Sequence, residues 1–147
     1  MIVGYELALE NVANAGSAAP QFEFEGNGTR RPKLREHSLF ITGATASRFS
    51  IGRPGNTPTG GSVTVGGAQD PSDAAATAGV TSTWTTAPTV PSPKMRSVEF
   101  NNVVGSGVIW TWPSDGELGI GPTRASSLID WSGSAGAAVT GNWTWGE

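Results

Sequence analysis

The chain has 147 residues, enough for one domain of ordinary size whose core needs neither a metal nor a disulfide. It contains no cysteine, which excludes disulfides, thiolate metal sites and a thiol nucleophile. The net charge of -3 argues against nucleic acid as the main partner, although six of the nine basic residues lie between Arg30 and Arg53.

The composition favours strands and turns over helices. There are 21 glycines and 10 prolines, and only 14% of the residues are charged, against about 25% in a typical domain. Glycine and proline weaken the interior of a helix, and serine, threonine, asparagine and valine also prefer other conformations. We therefore expect short strands joined by tight turns.

Neither a leader nor a membrane span is visible in the sequence. The segment from Met1 to Glu6 has no basic region ahead of an apolar stretch. No later segment reaches the roughly 18 apolar residues of a spanning helix. These features predict a soluble protein without a signal peptide and without membrane contact.

The first half of the chain begins with two alternating segments. Val3–Leu9 places apolar side chains on one face, the period-two pattern of a half-buried strand. Gln21–Glu25 alternates more sharply, with its two phenylalanines opposite its two glutamates. Residues 39–41 and 48–51 form two more short apolar segments, and the glycine-containing segment 43–45 between them predicts a hairpin turn.

The middle of the chain combines loops with a short helical turn. Two proline-containing loops are predicted, at residues 53–61 and 86–93. Apart from Arg53, neither contains a charged residue. Asp70–Ala78 predicts a helical turn, because Asp70 can serve as its N-cap and Pro71 suits the first helical position. Further short strands are predicted at residues 62–65, 80–84, 95–100, 107–112, 126–131 and 138–145.

The last third of the chain is the most strand-like. In its final segment Val139, Gly141, Trp143 and Trp145 share one face, as in an antiparallel strand buried on one side. The pattern gives roughly nine or ten short strands and no helix long enough for a βαβ crossover. It predicts a single all-β domain over residues 1–147, an antiparallel β-sandwich of jelly-roll type with at most one short helical turn.

Few side chains indicate catalysis. His37, the one histidine, is flanked by charged residues and is predicted to lie at the surface. Glu23 and Glu25 resemble the carboxylate pair of sugar hydrolysis, but exposed strand faces are often acidic, and the basic segment 30–33 offers partners for ion pairs. We predict no catalytic residue; a small hydrolase is an alternative that requires His37 in a cleft with a carboxylate.

Metal and cofactor sites are not expected either. The sequence has no second histidine, no cysteine and no acidic run that resembles a calcium loop. It also lacks a Walker motif and a strand-GxGxxG-helix unit. We therefore predict neither a metal nor a cofactor.

Six tryptophans are the feature of the composition that could support binding. The Trp-Thr-Trp pairs Trp110–Trp112 and Trp143–Trp145 each place two indoles on one strand face. If exposed, they form a flat platform for sugars or for a protein partner. If buried, they fill the space between two sheets, and this interpretation is favoured because Val108 and Val139 share their faces.

Several segments together resemble a known class of proteins. Three segments resemble small β-sandwich structural proteins of tailed bacteriophages, such as capsid decoration or tail-associated jelly rolls. They are residues 30–34, residues 70–76 followed by Trp84, and the closing stretch 119–147. The resemblance implies no enzymatic activity and no cofactor. It also implies a homo-oligomer such as a trimer, attachment to a major capsid or tail protein, and localisation in a virion assembled in the host cytoplasm.

The two proline-containing loops are the predicted contacts in such an assembly. The candidate interface residues are Arg53, Pro54, Asn56, Pro58, Pro88, Pro91 and Pro93. The alternative function is a carbohydrate-binding β-sandwich module that displays tryptophans to a glycan. Its candidate platform residues are Trp110, Trp112, Trp143 and Trp145.

Overall fold

The computed structural model describes residues 2–26, 28 and 30–147. Twelve strands and one short 3-10 helix, Arg124–Ser126, are found in this part of the chain. The strands are β1 (Gly4–Val12), β2 (Ala19–Glu25), β3 (Lys33–Ile41), β4 (Ser47–Gly52), β5 (Thr64–Val65), β6 (Gly67–Ala68), β7 (Gly79–Thr81), β8 (Lys94–Phe100), β9 (Gly107–Thr111), β10 (Leu118–Gly119), β11 (Leu128–Ser132) and β12 (Val139–Gly146).

The strands form two antiparallel sheets. Sheet A has the order β10-β3-β12-β1-β6, with β9 also paired to β3, and sheet B has the order β5-β7-β2-β11-β4-β8. Their main strands are therefore β1-β12-β3-β9 and β2-β11-β4-β8, the arrangement of an eight-stranded jelly roll built from two Greek keys. The predicted fold class, an antiparallel β-sandwich of jelly-roll type, is confirmed.

Aromatic side chains from both sheets fill the space between them. Phe22 and Phe24 of β2 meet Trp143 and Trp145 of β12 edge to face, and in each pair the ring centroids are 5.1 Å apart. Tyr5 of β1 stacks on Trp145 at 5.8 Å. All five side chains are buried. Period-two alternation on each strand thus builds one common core.

Two local predictions were wrong. Residues 43–45 do not make a hairpin turn, because they link β3 in sheet A to β4 in sheet B. The segment 70–78 makes one turn, in which Asp70 accepts the N–H of Ser72 at 2.9 Å, and then runs extended into β7. A helix does not continue because the N–H groups of Thr77 and Ala78 donate instead to the Glu147 carboxylate, at 3.1 and 2.8 Å.

A layer of loops covers the outer face of sheet B. This loop layer consists of residues 53–63 and 82–93, whose two halves are joined by paired backbone hydrogen bonds between Thr59 and Thr86, each 3.1 Å long. Gly52 of β4 lies so close to the layer that an added Cβ would be 2.6 Å from Cβ of Pro91. The outer face of sheet A, in contrast, carries exposed side chains such as Glu6 and Glu36.

The described part of the chain holds no helix of the length and apolar character needed to cross a membrane.

Candidate functional site

A histidine and an aspartate join the two sheets inside the core. His37 of β3 and Asp130 of β11 are 0% and 2% exposed, and the histidine Nε2 lies 2.8 Å from an aspartate Oδ1. The other ring nitrogen, Nδ1, lies 2.9 Å from the carbonyl oxygen of Asn142. The imidazole stacks on Trp143 with ring centroids 4.9 Å apart.

The hydrogen bonds constrain the protons of this pair. A carbonyl oxygen only accepts, so Nδ1 of His37 carries a hydrogen and donates it to Asn142. The contact between Nε2 and Asp130 then holds one further proton, as an imidazolium with a carboxylate or as a neutral imidazole with a carboxylic acid. In both forms the two side chains satisfy each other.

The prediction of a surface histidine was wrong. His37 alternates with Leu39 and Ile41 along β3 and therefore faces the core as they do. The small-hydrolase alternative required a histidine and a carboxylate in a cleft. The structure does bring the two together, but it buries both between the sheets, where a substrate has no access to either.

A second buried ionic cluster lies on the outer face of β2, beneath the loop layer. Glu23 accepts hydrogen bonds from Nε1 of Trp84 at 2.6 Å and from Nη2 of Arg124 at 2.5 Å. Glu25 lies 2.5 Å from Nε of the same arginine and accepts a bond from Thr81 at 3.2 Å. One guanidinium therefore faces two buried carboxylates, which we call the acid pair.

The acid pair corrects a prediction from the sequence. Glu23 and Glu25 were expected at the surface, paired with Arg30, Arg31 and Lys33. They are buried because the loop layer and the 3-10 helix cover this face of the strand, and Arg124 is their partner. The strand pattern correctly placed them opposite the phenylalanines, but it contained no information on what covers that face.

Ionisation of the second carboxylate is disfavoured. Burial raises the pKa of Glu25, the charge of Glu23 raises it further, and Arg124 and Thr81 offset only part of this effect. Oε2 of Glu25 lies 2.5 Å from Nε of Arg124, an attraction that lowers the pKa but is outweighed by burial and by Glu23. Glu25 is therefore more easily protonated in the folded chain than in water.

This arrangement predicts how pH acts on a Glu25→Gln variant. Because the pKa of Glu25 is higher in the folded than in the unfolded chain, its contribution to the free energy of unfolding depends on pH. The contribution is fully present below the unfolded pKa and is lost as the pH rises through the folded pKa. We expect Glu25→Gln to match the parent chain near pH 4.5 and to become more stable than it as the pH rises towards 8. Urea unfolding at a series of pH values measures the difference.

Glu99→Gln provides the matched control for this experiment. Glu99 pairs with Arg48 at the surface, where such pairs contribute about 0–1 kcal/mol. Its variant should show no growing advantage over the parent chain between the same pH values. A Glu25→Gln variant whose stability relative to the parent does not rise with pH would contradict the raised pKa of Glu25.

Most of the candidate aromatic platform lies in the core. Trp110, Trp143 and Trp145 are buried, in line with the interpretation that the alternation favoured. Trp112 is half-buried at the end of β9, and the guanidinium of Arg96 lies 4.7 Å from its ring centroid. A platform of all four indoles is therefore not formed, because the faces they share point between the sheets.

The candidate interface residues divide into buried and accessible groups. Pro58, Pro88 and Pro91 are buried where the loop layer packs on sheet B, which corrects their assignment as contacts for another subunit. The accessible or half-buried members are Arg53, Pro54, Asn56 and Pro93.

Asn56 has a structural role within the loop layer. Its amide donates to the carbonyl of Ala87 at 3.0 Å and accepts the N–H of Thr89 at 2.8 Å. Arg53 also binds within the chain, through carbonyl oxygens of the segment around the 3-10 helix. The two loops thus stabilise each other and the sheet beneath them.

The most exposed large apolar side chains of the described residues lie at the β8–β9 rim, which we define as Val103, Val104 and Ile109. They are 56%, 62% and 57% exposed. The two valines occupy the turn before β9, and this turn is held by backbone hydrogen bonds to Ile41. Strand β9 pairs on one side with β3, and its other side has no strand partner among the described residues. The sequence contained the signal for this rim, a run of apolar residues in a turn.

The outer face of sheet A holds a polar groove of 540 Å³. In its floor, the Asn142 amide donates to the Ser38 hydroxyl at 3.0 Å. The residues around the groove are Glu6, Leu7, Ala8, Glu36, Ser38, Asn142, Trp143 and Thr144.

No cluster of three or more metal-ligating side chains occurs in the described ranges of the chain. Comparisons with protein families, with curated proteins and with solved structures found no match to this chain.

Proposed function

We propose that the chain is a non-enzymatic structural subunit of a virion, a capsid decoration or tail-associated protein that binds copies of itself and a major shell protein. The observation that carries the proposal is the β8–β9 rim. There three apolar side chains are more than half exposed beside strand β9, whose outer edge pairs with none of the described strands. Exposed apolar groups and open strand edges are typical of surfaces that another chain covers.

The interior of the fold is consistent with this proposal. The two ionic clusters are buried and satisfied mostly within the chain, so their side chains are occupied in holding the layers together. The jelly roll itself occurs in capsid proteins but also in lectins and enzymes, so it does not decide between functions. The virion setting rests on the resemblance in the sequence.

Replacing the rim should abolish self-association. We expect the purified chain to form a concentration-dependent oligomer in sedimentation equilibrium. A variant with Val103→Ser, Val104→Ser and Ile109→Thr should remain monomeric at the same concentrations, because burial of apolar surface drives such contacts.

Val65→Ser is the matched control, because Val65 is also half exposed but lies far from the rim. It belongs to β5, which forms the edge of sheet B opposite to β8. This variant should leave the oligomer unchanged. A parent chain that is monomeric throughout and does not co-sediment with shell particles would argue against the proposal. If Val65→Ser loses self-association as completely as the rim variant, the contact between subunits is not specific to the rim.

Glycan binding is the second candidate, and the polar groove on sheet A is the observation that favours it. Acrylamide quenching of tryptophan fluorescence distinguishes the two functions. For a structural subunit we expect an oligosaccharide to leave the quenching unchanged. Protection of the tryptophans from the quencher by an oligosaccharide, together with a loss of oligosaccharide binding in Asn142→Ala, would favour the glycan-binding module.

A further inference from the structure

A cavity of 410 Å³ lies beside the 3-10 helix, away from the rim and the polar groove. Two arginines, Arg31 and Arg53, contribute to its lining. The rest of the wall comes from the segment that joins β10 to the 3-10 helix, including Ile120, Pro122 and Ser126. The cavity is thus cationic on one side and partly apolar on the other.

The guanidinium of Arg53 is held in a fixed position by backbone carbonyls. Nη1 donates to Ser126 at 2.7 Å and more weakly to Ser127 at 3.3 Å, and Nη2 donates to Gly119 at 2.7 Å. A guanidinium has five N–H donors, so at least two remain for another acceptor. A guanidinium that is already held in one orientation loses little conformational entropy when an oxyanion binds to it.

The two arginines of the cavity belong to the cations without an ion-pair partner among the described residues, a group that also includes Arg30, Lys94 and Arg96. Arg35, Arg48 and Arg124 each pair with a glutamate at 2.8 Å or less. Within residues 2–26, 28 and 30–147, neither Arg31 nor Arg53 has a carboxylate within ion-pair distance. The three residues outside these ranges are a methionine, an asparagine and a threonine, whose side chains are not carboxylates.

The electrostatic cost of this arrangement is visible in Arg53. Partial burial lowers the pKa of its guanidinium, and no carboxylate in the described part of the chain lies close enough to counteract the effect. The fold therefore withdraws a cation from water without supplying a counter-charge. A buried or half-buried charge of this kind is usually paired, and an external anion would complete the pair.

We propose that this cavity binds the phosphate group of a small phosphate monoester, held by the guanidiniums of Arg31 and Arg53. Charge decides between the possible oxyanions. A phosphate monoester carries about -1.5 to -2 at pH 7, which matches two guanidiniums, whereas a carboxylate or a phosphodiester carries about -1. Ile120 and Pro122 border the space available to the organic part of the ligand. The proposal does not depend on the proposed virion function.

Isothermal titration calorimetry of the purified chain tests the site. The probes are phenyl phosphate, inorganic phosphate, dimethyl phosphate and acetate, at one ionic strength set with sodium chloride. We expect saturable binding of the first two and binding at least about tenfold weaker for the singly charged pair, because one charge-assisted contact is lost. Equal affinity for all four anions, or no saturable binding of phosphate, would overturn the proposal.

Two arginine variants localise the binding. Arg31→Gln removes an exposed side chain and should weaken phosphate binding about tenfold or more. Arg30→Gln is the matched control, because Arg30 is an exposed neighbour that does not line the cavity, and it should leave the affinity unchanged. Equal affinities of both variants and the parent would place the anion elsewhere.

Arg53→Lys keeps the charge but removes the fork, and it should also weaken the binding of phenyl phosphate. Circular dichroism confirms that each variant is folded before titration. Tighter binding of a short single-stranded oligonucleotide than of phenyl phosphate would overturn the monoester assignment and indicate a phosphodiester ligand instead.

Discussion

Asp130→Ala is expected to lower the free energy of unfolding by about 3–5 kcal/mol, the usual effect of removing one partner from a buried ion pair. The variant leaves Nε2 of His37 without its hydrogen-bond partner in a core where Trp143 and Trp110 pack against the imidazole. Because domains of this size are stable by about 5–15 kcal/mol, the loss is a large fraction of the total. Urea unfolding at 25 °C measures it.

A double-mutant cycle separates the pair from its two members. His37→Leu together with Asp130→Leu replaces both groups by apolar side chains, and such exchanges are often neutral for a buried pair. We expect the loss of stability in the double variant to be clearly smaller than the sum of the losses in His37→Leu and Asp130→Leu alone. Asp115→Ala, in an exposed turn, is the control and should change stability by less than about 0.5 kcal/mol. Additive single effects would show that His37 and Asp130 do not act as a pair.

Arg124→Met is expected to cost a similar amount, about 3–5 kcal/mol at neutral pH, because it leaves both carboxylates of the acid pair buried without a cation. Without the arginine, an interaction that lowers the pKa of Glu25 is lost, so the pKa of this carboxyl rises further in the folded state. The loss should therefore be largest near pH 8 and should shrink as the pH falls towards 5.

The same arginine also fastens the loop layer. Its Nη1 donates to the carbonyl of Gly60 at 2.6 Å. Amide hydrogen exchange in residues 59–62 should consequently become faster in Arg124→Met. Arg48→Met is the matched control, since Arg48 forms an exposed pair with Glu99 that contributes about 0–1 kcal/mol. Similar losses in the two variants, or a loss independent of pH, would contradict the role assigned to Arg124.

Alternation along single strands was sufficient to predict the fold class. In β2 and β12 the apolar positions recur every second residue, and these are the faces that pack between the sheets. The same pattern correctly favoured a core position for Trp143 and Trp145. The pairing of the strands was harder to predict from the sequence. Residues 43–45, for example, have the composition of a hairpin turn but lead the chain from sheet A to sheet B.

The polar interior could not be predicted from local pattern. Glu23 and Glu25 occupy the outer face of their strand, and only the loop layer and Arg124, about 100 residues further along the chain, make that face interior. His37 did carry a signal, since it alternates with Leu39 and Ile41, but the charged residues beside it obscured the start of β3. Asp130, its partner, could be found only from the pairing of the two sheets.

The position of the last strand has a consequence for the kinetics of folding. Strand β12 lies between β1 and β3, and β11 lies between β2 and β4, so neither sheet is complete until the final quarter of the chain is available. Contacts between such distant segments require the closure of long loops, and proteins of this topology typically fold in milliseconds to seconds. During synthesis the apolar faces of the earlier strands therefore stay exposed until β11 and β12 have been made. Aggregation competes with folding in this period.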